Sequence, residues 1–132
     1  MAGYGDVGFM NKVSLSAVIM ARNEEKNIAD AIASVAFASQ IVVADTGSRD
    51  NTMELARQAG AEVHSIEFDG YGSSKNRALE FCKCDWVLSI DADERVSSEL
   101  AANIITTLDS NHGFNGYSFS RLTYFLGKPI FH

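Results

Sequence analysis

Asp91, Asp93 and Glu94 place three carboxylates within four residues, directly after the apolar run Trp86-Val87-Leu88-Ser89-Ile90. Two acids one residue apart, where a chain turns out of a strand, need not stay on opposite faces and can divide labour. One can ligate a hard cation while the other accepts a hydroxyl. Mg²⁺ or Mn²⁺ prefers oxygen ligands and keeps positions open for phosphate oxygens. A cation held this way neutralises charge building on a diphosphate leaving group. The bare Asp-x-Asp spacing is common, and surface carboxylates are ordinarily just solvated. What raises it here is the buried strand in front, because an open α/β sheet takes its ligand at the carboxyl ends of its strands. Asp45 ends a second apolar run, Ile41-Val42-Val43-Ala44, in the same way. It reads equally as a cap for the loop that follows, and Lys75 reads equally as a solvated helix charge.

The elements that would bring these residues together are legible from periodicity. Val13, Leu15, Ala17, Val18, Ile19 and Met20 form a first strand that is apolar on both faces, as in a parallel sheet covered by helices. Asn23 is a candidate N-cap, with Glu24 and Glu25 in the first turn of a helix whose Ile28, Ala31, Ile32 and Val35 share a face. The second strand ends on Asp45. Thr46 to Asn51 opens a helix carrying Leu55, Ala56 and Ala59, which Gly60 stops. Residues 61–68 give an imperfect third strand suited to a sheet edge. A flexible loop from Asp69 to Ser74 feeds a helix through Lys75, Asn76, Arg77, Leu79 and Cys82. Residues 86–90 are the fourth strand. Ser97 or Ser98 then caps a helix with Leu100, Ile104 and Leu108 on one face. A polar turn over 109–116, a half-exposed strand over 117–122 and an aromatic tail without a terminator complete the chain. Strands alternating with helices predict βαβ units and a mostly parallel sheet, with the ends of the strands meeting in one crevice.

The 132 residues suffice for one domain with its own core. Seventeen acidic against eleven basic residues give a net charge of -6, with no basic stretch to neutralise phosphates, so nucleic acid is excluded as a partner. An anionic small ligand stays compatible if a cation bridges it to the carboxylates. Cys82 and Cys84 are too close for an easy disulfide and read as a reduced pair at a helix end in a cytoplasmic protein. No apolar run approaches the length of a membrane span. Residues 1–11 lack the pattern of a signal peptide and read as a flexible leader, with Met10 as a candidate start.

Four stretches carry a resemblance. Val18-Ile19-Met20-Ala21-Arg22-Asn23-Glu24-Glu25, Val42-Val43-Ala44-Asp45-Thr46-Gly47-Ser48-Arg49-Asp50-Asn51-Thr52, Lys75-Asn76-Arg77-Ala78-Leu79 and Asp91-Ala92-Asp93 follow one another as the motifs of family-2 glycosyltransferases do. Asp91-Ala92-Asp93-Glu94 and Tyr124-Phe125-Leu126-Gly127-Lys128 are most similar to the bacterial lipopolysaccharide-core β-1,4-glucosyltransferase branch. The resemblance implies a GT-A, Rossmann-like α/β fold in which residues 12–132 form the nucleotide-sugar-binding part, C-terminally truncated. It implies an inverting transfer of a hexose, glucose in that branch, from a UDP-sugar to a glycan or glycolipid acceptor. Mg²⁺ or Mn²⁺ would be the cofactor, with work at the inner face of the membrane. Ala21 and Glu24 would border the base, Asp45 would bond the uracil or its ribose, and Lys75 would stand where many relatives have arginine. Asp91 would reach the ribose or sugar and Asp93 would ligate the metal, with Asp91 beside it. Ala21 replaces a frequent threonine, so its contact would come from the backbone. Thr46 replaces the second member of the usual acidic pair, and Lys75 lacks arginine's planar fork. The general base that an inverting transfer needs would lie beyond residue 132, with Glu94 reading as a structural partner of the metal ligand.

Two rivals are open to the same residues. Val87-Leu88-Ser89-Ile90-Asp91-Ala92-Asp93 is similar to the nucleophile strand of haloacid-dehalogenase-like phosphohydrolases, although that motif sits on a first strand and is not followed by Glu-Arg. A non-catalytic α/β binding or assembly module is the other.

Overall fold

The computed structural model describes residues 13–109 together with two short strands at 116–118 and 125–127. The leader over 1–11, the turn over 110–115 and the remainder of the segment from 119 onward lie outside the described residues. Among the described residues, six strands form one sheet: β1 (Val13–Ala21), β2 (Ala38–Asp45), β3 (Glu62–Ser65), β4 (Trp86–Asp91), β5 (Gly116–Ser118) and β6 (Phe125–Gly127), in the order β3-β2-β1-β4-β6-β5. The first four are mutually parallel, and β6 joins β4 and β5 antiparallel. Helices α1 (Ile28–Ser34), α2 (Thr52–Gln58), α3 (Tyr71–Leu79) and α4 (Ser98–Asp109) connect or follow the parallel strands. The fold is a Rossmann-like α/β sheet, mostly parallel and flanked by helices, as the alternation of periods predicts.

Strand β1 is central because its side chains are apolar on both faces. Leu15, Ala17 and Ile19 join Leu88, Ile90 and Val43 in a core with Ile28, Ala31 and Ile32 of α1, Ala56 of α2 and Ile104 of α4. Val18 faces the other way, into a smaller cluster with Val42, Ala44, Val87, Ala78 of α3 and Cys82. Full burial of each large aliphatic side chain is worth about 1.5–3 kcal/mol, so the larger cluster carries most of the apolar stabilisation. Ser16, buried in the middle of this strand, donates to Gln40 Oε1 and accepts the Cys84 amide at 3.2 Å. Gln40 Nε2 donates in turn to the Phe81 carbonyl at 2.8 Å. The polar cluster ties the amino ends of three strands, and its members satisfy one another as buried polar groups must.

Some boundaries differ from expectation. Asn23 is not a helix N-cap. It stands at φ 55°, in the left-handed region that asparagine tolerates, and α1 begins four residues later than expected, after Asn27. Glu24 and Glu25 therefore belong to a turn, not to the first turn of α1. Helix α2 starts at Thr52, after the 46–51 loop, and ends at Gln58, with Ala59 as its C-cap and then Gly60, whose φ of 96° is the left-handed stop glycine supplies. Helix α3 takes in Tyr71 to Ser74, which read as loop, and ends before Cys82. Helix α4 has Ser97 as its cap: Ser97 Oγ accepts the Leu100 amide at 3.0 Å. Strand β3 is short and lies at the edge. The half-exposed strand expected over 117–122 is confined to 116–118 where it is described, and the aromatic tail contributes β6. Both cysteines are free.

Candidate functional site

The strand order reverses between β1 and β4: β2 and β3 lie on one side of β1, and β4 on the other. At such a switch point the loops leaving neighbouring strands part in opposite directions and open a crevice beyond the carboxyl ends. The crevice of about 360 Å³ lies there, lined by Met20, Ala21, Arg22 and Glu24 from the end of β1, Thr46 after β2, Phe68 and Tyr71 after β3, and Asp91, Ala92 and Asp93 after β4. Parallel register fixes this convergence, with Met20 opposite Asp91 and Ala21 opposite Asp45.

Asp91 is the last residue of β4, and Asp93 follows it in the turn. Glu94 Oε1 accepts the Asp91 amide at 2.7 Å while the Glu94 amide donates to the Asp91 carbonyl at 2.9 Å, which closes the turn. Glu94 is thus a structural partner, as expected. Arg95 supports the same turn by donating to the carbonyls of Ala92 and Glu94 at 3.1 and 2.8 Å. Although Asp91 as a residue is exposed, its carboxyl is partly walled in. That desolvation, then Glu94, pushes its pKa above the ordinary carboxylate value; Asp93 and Glu24 add to the rise, and Lys75 opposes it. Crowded like charges at a crevice wall favour a bound cation that would relieve them. Among the described residues no group of three or more acid, histidine or cysteine side chains is placed to hold a metal ion alone. Two carboxylates beside open space could contribute oxygen ligands to a hard divalent cation such as Mg²⁺ or Mn²⁺.

Asp45 is fully buried at the end of β2 and does not line the crevice. Its Oδ1 accepts the Gly47 and Ser48 amides at 2.9 and 2.7 Å, the capping role weighed for it above. Its Oδ2 is buried without a hydrogen-bond partner. A buried orphan acceptor of this kind calls for a donor. The Ala21 carbonyl already accepts the Thr46 amide at 3.0 Å and the Thr46 hydroxyl at 3.4 Å. Thr46, in place of an acid, therefore ties β1 to β2 at the crevice floor. Glu24 lines the crevice while accepting from Asn27 Nδ2 at 2.9 Å. Lys75, exposed on α3, is not among the lining residues, and only its charge reaches Asp91.

The loops after β1 and β2 are fastened together. The Asn23 amide donates to Ser48 Oγ, and the Arg49 amide to Asn23 Oδ1, each at 2.8 Å. The Glu24 amide donates to Thr52 Oγ1 at 2.8 Å, and the Asn51 amide to Glu25 Oε1 at 3.2 Å. The left-handed Asn23 is what turns its amide and side chain toward the neighbouring loop. Sequence reading missed Arg22, Phe68 and Tyr71 as lining residues. Arg22 had a signal, its place directly after β1; the aromatic pair fell in a stretch read as a strand end and a flexible loop.

Residues 16–127 match the family model described as glycosyl transferase family 2. An uncharacterized glycosyltransferase of Rickettsia felis is 42% identical over 91 residues, which cover 68% of this chain and 32% of that protein. The lipopolysaccharide core biosynthesis glycosyltransferase LpsC of Rhizobium meliloti is 33% identical over 121 residues, covering 88% of this chain and 45% of that protein. The chain thus spans less than half the length of these two relatives. Among solved structures, glucosyl-3-phosphoglycerate synthase from Mycobacterium tuberculosis in complex with Mn²⁺, UDP and glucosyl-3-phosphoglycerate superposes with a TM-score of 0.71 at 20% identity. The alignment covers 97% of this chain and 61% of that one.

Proposed function

Because this chain belongs to glycosyl transferase family 2, we propose that its acidic crevice is the donor site of an inverting glycosyltransferase, residues 12–132 being the part that binds the nucleotide sugar. The donor is a UDP-hexose, with glucose the sugar of the lipopolysaccharide-core branch. The acceptor is a lipopolysaccharide-core or related glycan, reached from the cytoplasmic side of a membrane. The likeness to LpsC supports the acceptor class, and the UDP and Mn²⁺ held by the structural neighbour support the donor class. No helix among the described residues is long and apolar enough to cross a membrane.

The observation that carries this reading is the pairing of Asp91 and Asp93 on one crevice wall with the buried, half-satisfied Asp45 two strands away. Asp93, with Asp91 beside it, would hold Mg²⁺ or Mn²⁺, which when bound stabilises the charge that leaves on the diphosphate. Asp45 Oδ2 accepts from a base or ribose donor that replaces its missing partner. Glu24 borders the base, Ala21 offers backbone only, and Lys75 contributes long-range charge. Glu94 Oε1 is engaged by the Asp91 amide in holding the turn, a structural role, and the general base of the transfer would come from elsewhere in the protein.

The test is calorimetric titration of the chain with UDP, UDP-glucose and a GDP-sugar, with and without Mn²⁺. Metal-dependent UDP binding that Asp93→Ala abolishes is expected. Absence of binding by every nucleotide would overturn the donor-site reading.

A further inference from the structure

On the reading that the crevice takes a nucleoside diphosphate, we propose that Tyr71, braced by Phe68, is the platform on which the donor's nucleobase stacks. Phe68 and Tyr71 are 48% and 80% exposed, and both line the crevice. Large exposed apolar rings converging on one cleft are the informative exception to ordinary surface composition. Their centroids lie 5.5 Å apart with planes at 88°, the edge-to-face arrangement aromatic quadrupoles favour. At that exposure a face of Tyr71 remains open to a planar ligand.

The segment bearing them is anchored. Arg77 pairs with Asp69 at 2.7 Å, and the buried Ser74 accepts the Asp69 amide through its hydroxyl at 3.2 Å. The Ser74 amide in turn donates to the Gly70 carbonyl at 3.0 Å. Tyr71 is thus presented by the first turn of α3 and a tied loop.

Strand order indicates which end of the ligand arrives there. Along the sheet the carboxyl ends run β3, β2, β1, β4, with the aromatics after β3 and Asp91 and Asp93 after β4. A ligand whose phosphates are held at Asp93 and whose body crosses the ends of β1 and β2 puts its far end against Tyr71. In a nucleoside diphosphate that end is a flat aromatic base. The sugar to be transferred lies beyond the phosphates in the other direction, so the acceptor glycan is the weaker match. Stacking is tolerant of base identity, since every base has a π-face. Tyr71 therefore supplies affinity common to nucleotides, and base choice rests with hydrogen bonds elsewhere.

The experiment compares the full chain with Tyr71→Leu and Tyr71→Phe in titrations with UDP and with pyrophosphate, all with Mn²⁺. The uracil H5 and H6 proton resonances are followed in parallel. Tyr71→Leu is expected to weaken UDP by about ten- to a hundredfold and to leave pyrophosphate unchanged. Tyr71→Phe retains binding. The upfield shift of the uracil protons, present with the wild type, disappears in Tyr71→Leu. Equal UDP affinity and shift in Tyr71→Leu would overturn the stacking role alone. A wild-type chain that binds no UDP would remove the donor reading and this one with it.

Discussion

Asp45 holds two jobs that substitution can separate. Its Oδ1 secures the Gly47 and Ser48 amides, and its Oδ2 waits without a partner. Asp45→Ala leaves those amides unpaired and is expected to cost about 2–3 kcal/mol, read by urea denaturation. Asp45→Asn keeps the amide acceptor, so folding should change by less than about 1 kcal/mol while UDP affinity falls, because a donor replaces the orphan oxygen. At Asp91 the raised pKa has a definite sign: the folded state holds its proton more tightly than the unfolded one. Stability is fully present below the ordinary value of 3.8 and is lost as pH rises through the higher folded value. Metal-free Asp91→Asn should escape that loss, melting slightly higher than wild type at pH 7 while losing the gain that Mn²⁺ gives the wild type. Cys82 titrates near 11 because it is buried, with Cys84 and Glu62 adding to the rise. Below pH 9 it carries about a hundredfold less thiolate than an ordinary cysteine, so iodoacetamide labelling followed by mass spectrometry should modify Cys84 first.

At the level of elements, the joined loops after β1 and β2 decide how stiff the crevice floor is. Thr52 is fully buried, accepts the Glu24 amide and donates to Asp50. Thr52→Val keeps the shape and removes those bonds. Stability should fall by about 1–2 kcal/mol, and amide exchange at Glu24 should accelerate relative to the β1 amides, as hydrogen-exchange mass spectrometry would show. The elements themselves were largely legible. Valine and isoleucine runs ending on Asp45 and Asp91 marked buried strands, and Ile28, Ala31, Ile32 and Val35 marked the buried stripe of α1. What periodicity cannot show is a side chain spent on another loop. Asn23 carried every local mark of a cap, yet its partners are Ser48 and Arg49, some 25 residues away. Tyr71 was illegible for a similar reason. The glycines and serines around it signal flexibility, while its loop is fixed by Asp69, Arg77 and the buried Ser74.

For the whole molecule, the site is a property of sheet order, and no single segment contains it. Asp91 and Tyr71 line one crevice because β4 and β3 belong to the same parallel sheet, with β1 and β2 between them. Leu88 is fully buried in the larger core beside β1, and Leu88→Ala should cost about 2–5 kcal/mol and lower UDP affinity together with the melting temperature. Exposed Tyr71 substitutions should separate the two. The central position of β1 also bears on synthesis. This strand is made before β4, and the Cys84 and Asp85 amides that secure its amino end to Ser16 and Ser14 come from 68 and 71 residues further along. Pairings of such long sequence separation form slowly, since the chain between must be closed first. Until β4 has left the ribosome, one edge of a strongly apolar strand stays open to any passing partner. The strand that organises the crevice is thus also the segment for which a nascent chain would most need a chaperone.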